Sequence, residues 1–269
     1  MRKSILVLGT LCLGGATALA AHDMFLKLRS WFLPENAAVV VPLLNGTFTT
    51  SENSIDRNRI ADISLITPEG RARFDTTRVT ARGDSTFLRI TTGGAGTSVL
   101  GVSTLPNRLK ISGQEFTAYL EEEGLTDVVA ARREAGISGD SASERYSKHV
   151  KAIVQVGNER GDGYAAVLGY PAEIIPLENP YLQKPGGTLG VRALVRGVGV
   201  EGLALQAGGR TPGGARLPIQ QLRTGPGGEA TISIARRGLY YVKFISIVKQ
   251  VAGETDYVSN WATMTFQIR

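Results

Sequence analysis

The chain has 269 residues, a formal charge of +6, a hydrophobic share of 42% and one cysteine, Cys12. A lone cysteine excludes an internal disulfide and a cysteine-built metal centre. The basic residues are scattered, with no long run, which argues against nucleic-acid binding.

The amino terminus reads as a secretory signal. Met1-Arg2-Lys3-Ser4 is a basic head, Ile5 to Gly15 an apolar middle, and Ala18-Leu19-Ala20 a small-residue exit, the order a cleavable leader requires. The apolar run is shorter than the roughly 20 residues a spanning helix needs. Cys12 follows Leu11, a bulky residue at odds with a lipoprotein signal. Cleavage after Ala20 fits the small residues at 18 and 20 and leaves Ala21-His22-Asp23-Met24 as the new terminus. Cleavage one residue later leaves His22 first. Loss of Arg2 and Lys3 lowers the charge from +6 to +4 and removes the cysteine. The expected location is periplasmic or extracellular, with no transmembrane span after signal cleavage.

Beyond the leader, short segments rich in Val, Ile and Thr alternate with Gly, Pro and Asn turns, the texture of a β-sandwich. Met24 to Leu33 reads as a first strand and Ala37 to Leu44 as a second. Ile63 to Thr67, Thr86 to Ile90 and Thr97 to Val102 continue the series. The pattern changes at Ser112. Phe116, Tyr119, Leu120, Leu125, Val128 and Val129 recur at helical spacing, with Gly124 interrupting. Ser112 and Glu115 have capping-box spacing. Ser141 or Ser143 reads as the start of a second helix or turn through Tyr146, and strand texture resumes near Lys148. Residues 114–147 are therefore expected to be a helical insertion in a first sandwich spanning 21–170.

A second β-rich block is expected over 171–269. It opens with Ala172 to Leu177, crosses a turn-rich Asn179 to Gly187, and continues through Thr188 to Arg196, Thr231 to Ile234 and Arg237 to Ile247. The Gly238-Leu239-Tyr240 step suits a tyrosine that bonds back to nearby backbone. Gly96 to Val102 and Gly238 to Phe244 hold the same relative place in the two blocks, each as a penultimate strand. The fold expectation is mainly β: two immunoglobulin-like or transthyretin-like sandwiches with a helical insertion in or after the first.

Five segments carry a family resemblance: His22-Asp23-Met24-Phe25-Leu26, Gln114 to Leu125, Glu144 to Ala152, Pro176 to Tyr181, and Asp256 to Phe266. Together, in this order, they resemble DUF4198, a bacterial family of exported proteins of unknown function formerly labelled a nickel uptake transporter family. The resemblance implies an exported two-part β protein without catalysis. It also implies a role in divalent-metal handling, with a metal-importer membrane component or another envelope protein as partner. Two positions depart from the family pattern: Met24 precedes Phe25 where an aromatic pair is common, and His149 stands where family members carry an aromatic or small residue.

After the leader the chain has two histidines, His22 and His149. Imidazole ligates nickel, cobalt and copper. With Ala21 first, the terminal amine, the Ala21–His22 amide and the His22 ring form a square-planar donor set for Ni(II) or Cu(II). With His22 first, amine and ring chelate directly, and His149 is a candidate third nitrogen. Asp23 and, more remotely, Glu254 and Asp256 are candidate oxygen donors. His149 lies between Lys148 and Lys151, whose charges disfavour a cation, so a structural hydrogen-bonding role suits it better. Trp31 and Trp261 read as core anchors. H-E-x-x-H, G-x-S-x-G and Walker patterns are absent, and Gly93 to Gly96 and Gly208-Gly209 read as turns. The alternative to metal handling is a non-catalytic envelope module that binds protein or glycan.

Overall fold

The computed structural model describes residues 22–269; the leader and Ala21 lie outside the described residues. The first half supplies β1 (Asp23–Leu26), β2 (Phe32–Leu33), β3 (Ala38–Gly46), β4 (Ile60–Thr67), β5 (Gly70–Arg73), β6 (Val79–Arg82), β7 (Ser85–Thr91), β8 (Gly96–Thr104) and β9 (Asn107–Ile111). Two helices, α1 (Gly113–Glu122) and α2 (Thr126–Glu134), precede β10 (Ala142–Val156). The second half supplies β11 (Ala172–Pro176), β12 (Gly187–Val195), β13 (Val198–Gly199), β14 (Ala204–Arg210), β15 (Arg216–Arg223), β16 (Glu229–Ile234), β17 (Gly238–Lys249) and β18 (Tyr257–Ile268).

The strands form one ten-stranded sheet and two smaller ones. The large sheet runs β15-β14-β17-β18-β10-β8-β4-β5, with β2 and β9 also pairing to β10. At its centre β10 and β18 pair in parallel, from Glu144 opposite Tyr257 to Ala152 opposite Thr265. Outward from that seam each half adds the same series: its penultimate long strand, then a hairpin. The small sheets also correspond, β1-β3-β7-β6 in the first half and β11, β12, β13 and β16 in the second.

Two adjacent parallel strands are interchanged by a half-turn about an axis lying along them, and that rotation exchanges the faces of the sheet. The small sheets accordingly cover opposite faces. On β10, Val150, Ala152, Val154 and Val156 enter a core with Val41, Leu43, Leu88 and Ile90 of the first small sheet. Ile153, pointing the other way, joins Leu189, Val191, Ile232, Tyr240 and Met264 in a second core. Ser147 to Val156 is consequently buried without a break, as a central strand covered on both faces should be.

The helical insertion begins as its sequence predicts. The Ser112 hydroxyl accepts from the Glu115 amide at 3.2 Å, and the Glu115 carboxylate accepts from the Ser112 amide at 3.0 Å. Gly124, at φ +71°, reverses the chain into α2. Phe116, Tyr119, Leu120 and Leu125 pack against Ile245, Tyr257 and Trp261 of the large sheet. The insertion is shorter than expected, because 142–147 is strand and not helix. Its polar residues alternate between faces, and its partners, β9 and β18, are distant in sequence. The expected first strand is also two strands: β1 pairs with β3, and β2 crosses to pair with β10. The boundary expected at 170/171 falls in the link between β10 and β11, while the large sheet runs from one half into the other.

Gly96 and Gly238 both open their strands with positive φ, +151° and +159°. A Cβ at Gly238 would strike the Arg210 carbonyl. Two residues on, the Tyr240 hydroxyl donates to the Arg236 carbonyl at 2.6 Å and accepts from its amide at 3.2 Å. Tyr240→Phe strips the partner from these part-buried groups, and urea unfolding should show a loss of about 1–3 kcal/mol with an unchanged m-value.

Candidate functional site

The charged centre of the molecule lies on the face of the large sheet that carries β1 and α1. Alternation on β17 turns Tyr240, Val242 and Phe244 into the second core and Tyr241 and Lys243 to the opposite face. There the Lys243 ammonium meets Asp23 Oδ2 at 2.7 Å and Glu123 Oε1 at 2.8 Å. Asp23 comes from the first strand and Glu123 from the end of α1, so one buried lysine ties three remote segments. Beside it Phe25, Phe48 and Tyr241 form an aromatic triad with centroid separations of 4.8–5.4 Å. A cleft of about 260 Å³ opens above, with Arg210 and Arg216 also lining it. His22 stands at its rim, Nε2 2.7 Å from Glu52 Oε2 and 3.3 Å from the Asn53 side-chain amide.

Burial dominates the electrostatics. It opposes the charge on Lys243, but the two carboxylates outweigh it and raise its pKa. A single ammonium neutralises only one of them. Burial lifts the Glu123 carboxyl to about 7; Lys243 pulls it down and the Asp23 charge pushes it up. Lys148, on β10, is also buried. Its ammonium donates to the His22 carbonyl and, at 3.0 Å, to Asn45 Oδ1, and lies 5.4 Å from the Trp261 ring centre. Burial lowers its pKa to about 8. Further along this face the Tyr119 hydroxyl and Glu144 Oε2 are buried without a hydrogen-bond partner.

His22 and Asp23 thus come together at one cleft, but the Asp23 carboxylate is committed to Lys243. The His22–Glu52 pair suits a metal in part. Two donors each about 2.0–2.2 Å from one ion stand roughly 3 Å apart, as this nitrogen and oxygen do. Among the described residues, no group of three or more His, Cys, Asp or Glu side chains converges on a metal position.

The structure separates His149 from His22. Its neighbour Lys148 reaches the His22 carbonyl on one face, which turns the His149 ring to the other. There His149 Nδ1 lies 2.9 Å from Ser103 Oγ and Nε2 lies 3.2 Å from Asn260 Oδ1. Burial lowers its pKa to about 4, the signature of a neutral, hydrogen-bonded ring. Its suggested part in a site with His22 is therefore corrected. Asp256 accepts from the amide and hydroxyl of Ser143, and Glu254 pairs with Arg108; neither lines the His22 cleft. Trp31 and Trp261 are core residues. Glu52, Glu123, Lys148 and Lys243 escaped sequence reasoning. Lys243 left a trace, as a charged residue inside the apolar run from Leu239 to Ile247.

These observations define a multi-sheet β protein closed around its first strand by a lysine–carboxylate cluster, with a polar cleft beside it. A family model described as "Domain of unknown function (DUF4198)" matches residues 19–247. The chain belongs to the DUF4198 family. No curated protein matches it. Among solved structures it is similar to trypsin-activated alpha-2-macroglobulin from Escherichia coli, at 11% identity and a TM-score of 0.22, over 92% of this chain and 16% of that one. A DUF4785 family protein from Legionella pneumophila is similar at 10% identity and a TM-score of 0.26, over 82% of this chain and 51% of that one. The tetra-tandem repeat in the extending region of a large adhesion protein gives 10% identity and a TM-score of 0.22, over 91% and 49%. The chain therefore spans between about a sixth and a half of these proteins. Among the described residues no helix is long and apolar enough to cross a membrane.

Glu123 makes stability depend on pH. A carboxyl with a raised folded-state pKa contributes stability that is complete below its unfolded value and is lost as pH rises through the folded value. For Glu123 that window runs from about 4.5 to about 7. Glu123→Gln should gain on the parent by about 2 kcal/mol between pH 5 and pH 8, at about 1.4 kcal/mol per pKa unit. Lys243→Met leaves two carboxylates facing one another and should cost about 3–5 kcal/mol at pH 8. Urea unfolding at both pH values checks both variants.

Proposed function

We propose that this DUF4198 protein is an exported, non-catalytic binding protein of two immunoglobulin-like sandwiches, acting in the periplasm or outside the cell. Its cargo is a nickel, cobalt or copper ion held at the amino terminus. The matching strand series in the two halves supports the sandwich reading, as does the early strand β2, which leaves the small sheet to pair with β10. The observation that carries the metal reading is the 2.7 Å approach of the His22 imidazole to Glu52 at the cleft mouth. Leader cleavage after Ala20 frees an amine on the Nδ1 side of that ring. A turn of the ring about Cβ–Cγ joins Nδ1, the amine and the Ala21–His22 amide in a nitrogen-rich set of the kind that suits Ni(II) and Cu(II), with Glu52 as a neighbouring oxygen donor. The buried β1 anchor, Asp23 on Lys243, holds the terminus at the cleft.

Calorimetric titration of the exported chain with Ni(II) and with Cu(II) tests this. His22→Ala should abolish binding and Glu52→Gln should weaken it by about tenfold, the loss of one charged ligand. A Gly-Ser extension ahead of the terminus should weaken it as well. Equal, negligible binding by the parent and His22→Ala overturns the reading.

A second reading, an envelope module that binds protein, draws on the outer surface of the first small sheet. Val40, Pro42 and Phe87 form an apolar strip flanked by Arg29, Arg82 and Arg89 in a groove of about 610 Å³. Val40 is 53% exposed. The one-signed charge fits an acidic segment of a partner protein. Arg82→Glu with Arg89→Glu should abolish salt-sensitive capture of an acidic envelope protein and leave thermal stability unchanged. Capture unaffected by the double change excludes this surface.

A further inference from the structure

The amino-terminal ends of β10 and β18 carry a second cleft, on the face opposite the His22 site. Alternation sends Arg145, Ser147 and His149 of β10 to this face, and their register partners Val258, Asn260 and Ala262 of β18 go with them. The link at Gly169 to Pro171 forms one wall, and the turn at Arg196-Gly197 forms another. The cleft encloses about 540 Å³, and none of its lining residues is acidic.

The charged groups lining this cleft are of one sign. Arg145 and Arg196 are both exposed, and among the described residues neither guanidinium is ion-paired. Ser147 contributes a hydroxyl. Asn260 is oriented by the histidine behind it. With Nδ1 of His149 accepting from Ser103 Oγ, Nε2–H donates to Asn260 Oδ1. The Asn260 carbonyl is thereby turned inward and its NH₂ toward the cleft. Burial keeps His149 neutral at physiological pH, so the ring adds no charge of its own behind the cleft.

Arg196 adds an independent observation. It and Gly197 are the two central residues of the β12–β13 turn, between Val195 and Val198, with φ of +52° and +79°. Hairpin turns with both central residues left-handed favour Asn-Gly, and an arginine there is strained. The fold alone would be better served by asparagine. Strain of this sort persists where a side chain has a task, and Arg196 lines the same cleft as Arg145.

We propose that this cleft binds a small organic oxyanion, a carboxylate or phosphate ester, clamped between Arg145 and Arg196 with Ser147 and Asn260 as neutral donors. His149 is a positioning residue that fixes the Asn260 amide. The site is separate from the His22 cleft and stands or falls without it.

Calorimetric titration of the exported chain tests the site, with glucose 6-phosphate, glucuronate and citrate as probes and glucose as the uncharged control. At least one anion binds, glucose does not, and affinity falls as salt rises. The phosphate and carboxylate arms identify the preferred oxyanion. Arg145→Gln and Arg196→Asn each weaken binding by about tenfold, the loss of one charge-assisted contact. Arg196→Asn also unfolds at higher urea than the parent, since it relieves the turn. A fold defect therefore cannot account for its lost affinity. His149→Phe, with the ring volume kept, weakens the anion while leaving the salt dependence in place. The proposal is overturned if none of the three anions binds, if glucose binds as well as they do, or if Arg196→Asn binds as tightly as the parent.

Discussion

The parallel pairing of β10 and β18 is the constraint from which the rest of the molecule follows. A parallel pair needs cover on both faces, because the connections that join such strands do not leave one face to water. Each half supplies that cover for itself and, by the sense of the rotation between them, on opposite faces. One strand, β10, thus belongs to two cores. Every polar side chain it carries inward must then find a partner within the protein. Lys148 reaches the His22 carbonyl and Asn45, His149 reaches Ser103 and Asn260, and Gln155 reaches Thr97 and the 156–159 backbone.

Lys151 shows what such a partner does for the architecture. It pairs with Glu173 of β11 with both groups buried, and it donates to the Ala166 carbonyl at 3.1 Å. Glu173 in turn accepts from the amides of Leu168 and Tyr170 at 2.9 and 2.7 Å. The connection between the halves is therefore fastened to the seam at several points. Desolvation offsets much of the Coulomb gain of a buried pair, so its weight lies in fixing one arrangement more than in net stability. Lys243 follows the same logic on the other face. A hydrophobic contact would let β1, α1 and β17 slide; an ammonium held between Asp23 and Glu123 does not. The His22 cleft takes its shape from that fixed point.

Local features were legible in the sequence and long-range ones were not. The capping box at Ser112 and Glu115, the Gly124 break, the tyrosine corner at Tyr240 and the matched glycines at 96 and 238 depend on residues within a few positions of one another. The strand from Ala142 was misread because Ser143-Glu144-Arg145-Tyr146 has the composition of a turn or helix start, and only pairing to β9 and β18 makes it extended. The candidate site divided on the same line. His22 and Asp23 could be chosen from their place beside the expected cleavage point. Their real neighbours, Glu52, Glu123 and Lys243, arrive through tertiary contacts that no spacing announces. A structural hydrogen-bonding role was expected of His149, but its partners Ser103 and Asn260, and the separate network of Lys148 on the other face, also arrive only through tertiary contacts.

The half-turn that relates the two blocks is broken by the helical insertion, and the break bears on where the molecule can bind. At the amino-terminal ends of β10 and β18, one face carries Glu144, Tyr146, Tyr257, Ser259 and Trp261, and α1 and α2 close over it with Phe116, Tyr119 and Leu120. The reverse face of the same strand ends carries Arg145, Ser147, Val258 and Asn260, and among the described residues the second half has no α-helix to lay over it. Its turn at Arg196 and its link at Pro171 approach from the sides and leave the floor open. The chain thus spends its one insertion to seal an aromatic face, while the donor-rich face beneath it remains a cleft. Alternation assigns neighbouring residues to opposite faces, and at these strand ends the helices cover only one of the two.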